Sequence, residues 1–122
     1  MPKVPETLRL KGKLVTGEIW VNGKLLSPER SLEVCNHSPT GFSWGYGGSG
    51  PAQLALAILL KYLSKEKAVA LYQDFKREVI ARFPEEDFET EVDLRTWLAG
   101  IIHDYRDKEQ DAEEAIQTTG LH

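Results

Sequence analysis

The chain has 122 residues, of which 41% are hydrophobic and 28% charged, and a formal net charge of -4. That length and balance suit one globular domain able to bury a core without disulfides, and they exclude a fibrous or wholly disordered chain. The negative balance argues against wide capture of duplex nucleic acid, whose non-specific affinity comes from cations neutralising phosphates.

Residues Met1 to Leu14 alternate charged and apolar side chains and lack the continuous apolar stretch of a secretory signal. From Thr7 to Val15, Leu8, Leu10 and Leu14 are spaced by Arg9, Lys11 and Lys13, a period of two that predicts a half-buried strand, with Gly12 as a bulge or bend. Glu18 to Leu26 sets β-formers on both sides of Asn22-Gly23, the pair that best tolerates a type I′ turn, and predicts a hairpin. Ser27 to Arg30 reads as a turn and Ser31 to Cys35 as another alternating strand. Asn36 to Gly50 holds five glycines and Pro39, and its aromatics Phe42, Trp44 and Tyr46 are spaced as on one face of a short strand.

At Pro51 the character changes. The run to Leu63 carries one charge and predicts a helix buried almost all round, with Pro51 at its first position and Ser49 or Gly50 as cap. Its most apolar part, Leu54 to Leu60, is about seven residues against the ~20 that cross a bilayer, so no membrane partner is expected. A second helix is predicted from Ser64 as cap to about Phe83, where Pro84 stops it, and Glu85 to Asp87 read as a solvated linker. Asp93 then caps a third helix whose inner face is Leu94, Trp97, Leu98, Ile101, Ile102 and Tyr105. The expected fold class is α+β, a small antiparallel sheet of three to five strands from about Thr7 to Gly45, followed by two or three helices on one face. Residues 1–106 form the expected domain and 107–122 an acidic, frayed or disordered tail.

Chemistry concentrates between Asn36 and Gln53. Glycines at 47, 48 and 50 allow close backbone approach, and the N–H groups of the following helix favour an anion, so a phosphate is the natural occupant. The residues expected to line such a site are Asn36, His37, Trp44, Tyr46, Gly47, Gly48, Ser49, Gly50 and Gln53, with Lys76 or Arg77 from the second helix adding charge. The run is not a Walker loop, since no Gly-Lys-Ser or Gly-Lys-Thr follows. The alternative reading of the same glycines is a sharp turn that lets the helix pack close to the sheet. A small hydrolase using His37 and Ser49 is a further alternative, and it requires the two side chains, or partners able to activate them, within hydrogen-bond reach. Cys35 is the single cysteine, and neither it nor His103 and His122 form a cluster at metal-ligand spacing, so no metal and no cofactor are expected and the compartment is read as the reducing cytoplasm.

The motif from Asn36-His37-Ser38-Pro39-Thr40-Gly41 through Gly47-Gly48-Ser49-Gly50-Pro51-Ala52-Gln53 to Ala57 resembles a family of small bacterial and phage proteins classed as a domain of unknown function. The resemblance runs from about residue 8 to 100, taking in the Asn22-Gly23 hairpin and Leu71 to Lys76, and implies no activity. In size and order of elements alone the chain is similar to phage anti-defence proteins that sequester cyclic nucleotide signals. The resulting expectation is a non-enzymatic module binding a phosphate-bearing small molecule. Its alternative is a protein-interaction or structural module without a ligand, and the open sheet edge makes a homo-oligomer a related possibility.

Overall fold

The computed structural model describes residues 4–38 and 41–102. Three N-terminal strands, β1 (Leu8–Lys13), β2 (Glu18–Val21) and β3 (Lys24–Leu25), are followed by helices α1 (Glu29–Val34), α2 (Ser49–Tyr62) and α3 (Lys65–Glu78), and by a 3-10 turn at Ile80–Arg82. A fourth strand, β4 (Phe88–Val92), comes next, and residues 94–102 are helical. The expected acidic tail, with Tyr105, His103 and His122, lies outside the described residues. No helix among the described residues is long and apolar enough to cross a membrane.

The fold is α+β, and its sheet is antiparallel throughout with strand order β3-β2-β1-β4. Strict alternation along β1 sends Leu8 and Leu10 inward and Arg9, Lys11 and Lys13 outward. Asn22 and Gly23 take positive φ values of 50° and 82°, the left-handed pair that lets a two-residue turn follow the strand twist. Gly12 makes no bulge, because its pairing continues unbroken to Ile19 on one side and Phe88 on the other. It is a packing residue: a Cβ there would lie 2.5 Å from the Phe88 ring and 2.8 Å from the Trp44 ring.

The sheet is not confined to residues 7–45. β4 enters after the helices and pairs along β1 from Leu8↔Val92 to Gly12↔Phe88, so β1 is an inner strand with hydrogen-bonded neighbours on both edges. Two expected strands are absent. Ser31 to Cys35 belongs to α1 and its end, where the Ser31 hydroxyl donates to the Pro28 carbonyl at 2.8 Å and closes a helical turn. Residues 41–44 have no regular structure. Phe42 and Trp44 both face the core while Tyr46 is 42% exposed, so the three aromatics do not share a face.

As its composition requires, α2 is buried without interruption from Gly50 to Leu60. Its side chains join Leu8, Leu10, Ile19 and Val21 of the sheet and Leu71 and Phe75 of α3 in one core. Each Leu or Ile so buried contributes roughly 1.5–3 kcal/mol, which makes this helix the hydrophobic centre of the molecule. α3 is capped by the Ser64 hydroxyl, which accepts from the Lys67 N–H at 3.3 Å, and ends at Glu78 rather than running to Phe83. Asp93 caps the last helix as expected, accepting from the Thr96 N–H at 3.0 Å and from the Thr96 hydroxyl at 2.7 Å.

Candidate functional site

α2 and α3 are joined by a tight connection at Leu63 and Ser64, so the start of α2 and the end of α3 lie at the same end of the molecule. The glycine-rich segment is fixed there. The Gly45 N–H donates to the Ile80 carbonyl at 3.1 Å, and Gly45, with φ +85°, has the Glu85 backbone and the Phe83 carbonyl where a side chain would begin. Trp44 is fully buried, and its Nε1 donates to the Glu86 carbonyl at 2.8 Å. It anchors the segment from beneath and offers no face to a ligand.

Gln53 is the second anchor. Backbone N–H groups can only donate, so the N–H groups of His37, at 2.7 Å, and Ser38, at 3.1 Å, fix the orientation of its Oε1. Its Nε2 then donates to the Ser31 hydroxyl at 2.8 Å, whose own hydrogen goes to Pro28. One fully buried side chain on the core helix thus holds α1 and the start of the 36–38 loop. This is a positioning role, and the Gln53 oxygen is already taken up by the two loop amides.

The first turn of α2 differs in detail from the sequence expectation. Gly48 is the cap, Pro51 is the third helical residue, and the Ala52 N–H already donates to the Gly48 carbonyl at 3.0 Å. The amides left without a partner among the described residues are therefore those of Ser49 and Gly50, not those of Ala52 and Gln53. They border a groove of about 330 Å³ lined by residues of the Leu14–Gly17 turn, by Ser38, Phe42 and Ser43, and by Tyr46, Ser49 and Gly50. The Ser43 and Tyr46 hydroxyls are 2.8 Å apart. One hydrogen serves that bond, so the other is available to a third group. The Ser49 hydroxyl has no hydrogen-bond partner among the described residues.

The remaining candidates disperse. Asn36 is exposed at the start of the loop, and Gly47 is exposed with open space beside it. Lys76 is half-buried, and Arg77 pairs with Asp74 on its own helix. Neither lines the groove, and among the described residues no lysine or arginine does. His37 turns away from Ser49. Its Nε2 lies 2.8 Å from the Tyr72 hydroxyl and 3.2 Å from Cys35 Sγ. Burial raises the Tyr72 hydroxyl above the ordinary tyrosine range; a hydrogen bond with the Gln73 side chain opposes that shift, and the Cys35 thiol adds to it. No cluster of three or more His, Cys, Asp or Glu side chains able to hold a metal ion occurs among the described residues.

A family model described as a family of unknown function, DUF6166, matches residues 10–100. The chain belongs to DUF6166. No curated protein and no solved structure matches it. In this DUF6166 chain the matched span holds the groove, the Gln53 anchor and the Cys35, His37 and Tyr72 cluster.

Sequence reasoning missed Cys35 and the meeting of Tyr72 with His37. The two-residue spacing of Cys35 and His37 was a visible signal, because an extended chain puts such a pair on one side. Tyr72, 35 residues further along, carried no local sign of its place.

Proposed function

We propose that this DUF6166 domain is a non-enzymatic binding module of the cytoplasm for a small phosphate-bearing molecule, seated in the groove at the first turn of α2. The observation that carries the reading is the meeting there of the Ser49 and Gly50 amides, which have no partner among the described residues, with the Ser49 hydroxyl and the spare hydrogen of the Ser43–Tyr46 pair. Four donors around one helix N-terminus match the oxygens of a phosphate. The volume of about 330 Å³ is at the small end for ligand pockets and suits a mononucleotide, with the exposed Tyr46 ring as a face for a base. With no cation among the described lining residues, affinity rests there on hydrogen bonds and the helix dipole and is correspondingly modest. A domain of this kind acts by sequestering its ligand, as a nucleotide-signal sponge does.

A thermal-shift series with inorganic phosphate, mononucleotides and cyclic oligonucleotides tests the reading, since a ligand at 100 times its dissociation constant adds about 2.7 kcal/mol of stability. Ser49→Ala is expected to weaken any hit. So is Gly48→Val, because Gly48 has an ordinary extended φ of -155° and its new Cβ would meet only the Tyr46 ring, at 2.6 Å, at the rim of the groove. Absence of any shift across the series, or binding that survives both substitutions, refutes the site.

A second reading rests on the outer face of the sheet. Leu25 is 58% exposed and pairs across the strands with Trp20, beside the outward row Arg9, Lys11 and Lys13. The two-residue β3 leaves a short open edge next to them. An interaction module or homo-oligomer would use this face, and light scattering on wild type and Leu25→Glu distinguishes it: a mass that falls to the monomer in the variant supports it.

A further inference from the structure

Cys35 closes α1, and its backbone leaves the helical region for the extended one at φ -157° and ψ 118°. Side chains two apart on an extended chain share a side, and here that places the thiol and the His37 imidazole 3.2 Å apart. The histidine is held from two directions. Its backbone N–H is tied to the buried Gln53, and its Nε2 meets the Tyr72 hydroxyl of α3, with the two rings 5.5 Å apart between centroids. Cys35 and His37 are both partly open to solvent. A cysteine kept only for packing is enclosed by apolar groups and inert, whereas this sulfur faces a base.

We propose that Cys35 is a site of reversible oxidation by hydroperoxides, with His37 as the acceptor of its thiol proton. Nε2 without a hydrogen takes the proton of the Cys35 S–H, and the new N–H then points at the thiolate it has made. The thiolate attacks the terminal oxygen of the hydroperoxide, an S–O bond forms and the O–O bond breaks. The leaving oxygen takes the proton from the His37 imidazolium and departs as an alcohol, or as water from hydrogen peroxide. Sulfur is oxidised by two electrons to the sulfenic acid and the peroxide is reduced by two. The substrate class follows from the surroundings. Neither Cys35 nor His37 lines the groove at α2, so the electrophile must be small enough to react without a pocket. With one cysteine in the chain there is no internal partner to form a disulfide, so two equivalents of an external thiol return the sulfenic acid to the thiol. The backbone tie of His37 to Gln53 and the Tyr72 ring beside the imidazole hold it in place while Nε2 exchanges its proton.

The full chain is treated with hydrogen peroxide and then dimedone, and its mass is measured for wild type, Cys35→Ser and His37→Gln, while the rate of Cys35 with an aromatic disulfide is followed across pH. One dimedone adduct is expected in wild type and none in Cys35→Ser. His37→Gln should slow oxidation near neutral pH by about tenfold or more and change the shape of the rate profile against pH. A comparison that needs no variant sets folded wild type against the same chain in urea at equal pH, where the folded protein should react about tenfold faster. Equal rates and profiles in wild type and His37→Gln, or an adduct that forms only on unfolding, would overturn the proposal.

Discussion

Replacing Gln53 by Leu keeps nearly the same volume on α2 and removes every polar contact the side chain makes. Ser31 retains its bond to the Pro28 carbonyl, so the loss falls on the His37 and Ser38 N–H groups, which are partly buried and have no other acceptor among the described residues. Each unpartnered group costs about 1–3 kcal/mol, and partial access of water to the loop lowers the total, giving roughly 2–4 kcal/mol for the variant. For a domain of about 100 residues that is a fall in Tm of roughly 10–20 °C. Urea unfolding followed by tryptophan fluorescence should show a lower midpoint at unchanged slope, and the His37 and Ser38 amides should lose exchange protection ahead of α2. Because Ser31 and Gln53 act in one chain of bonds, Ser31→Ala combined with Gln53→Leu should cost less than the sum of the two. A loss below about 1 kcal/mol would show that Gln53 does not anchor the loop, and strict additivity of the pair that it does not tie α1.

Gly45→Ala faces a positive φ and backbone atoms of Glu85 within 2.9 Å, so it should destabilise by about 2–4 kcal/mol or prevent folding, and a midpoint near wild type would contradict the docking of the turn on residues 80–85. The two hydrogen bonds from Thr96 lower the Asp93 pKa, so its contribution to stability is present above the ordinary aspartate range and is lost as pH falls through the folded value. Asp93→Asn should therefore flatten the acid limb of a Tm-against-pH curve below about pH 4, and parallel curves would refute the cap. Tyr72 has the opposite sense: its raised pKa gives stability that is present below the unfolded value of about 10 and lost as pH rises through the folded one. Tyr72→Phe should remove the extra loss of wild-type stability above about pH 10, as read by the same melts.

The hairpin at Asn22-Gly23 and the buried helix after Pro51 were legible because one local rule settled each of them: the positive φ of the turn, and an apolar surface with nowhere to go but inside. α1 was misread because the five alternating residues Ser31 to Cys35 fit a short strand and a helical turn equally well. The deciding interaction, Ser31 back to Pro28, is a hydrogen bond that alternation does not encode. β4 did carry the right alternation, with Phe88, Thr90 and Val92 half-buried and Glu89 and Glu91 exposed, but two glutamates in five residues hid it among the acids before it. In the candidate site, the glycines were read as making room for a ligand. In the fold Gly45 makes room for residues 83–85 and Gly48 for Tyr46, while the polar residue on the otherwise apolar α2 proved to be the tie between loop and core. A glutamine within the buried run Gly50 to Leu60 was the sign of such a tie.

The place of β1 between β2 and β4 has a consequence for the growing chain. Its pairing with β2 closes through a short turn, but the Arg9–Glu91 pair on its other edge spans 82 residues. Until residues 88–92 leave the ribosome, β1 carries an open edge of unpaired backbone beside three positive side chains. Those outward cations are the kind of charge that keeps such an edge from capturing another strand. The last strand closes the sheet late, after α2 and α3 have been made, so the slow step in maturation should be docking of a short acidic strand onto a basic one, and its rate should fall as salt is added.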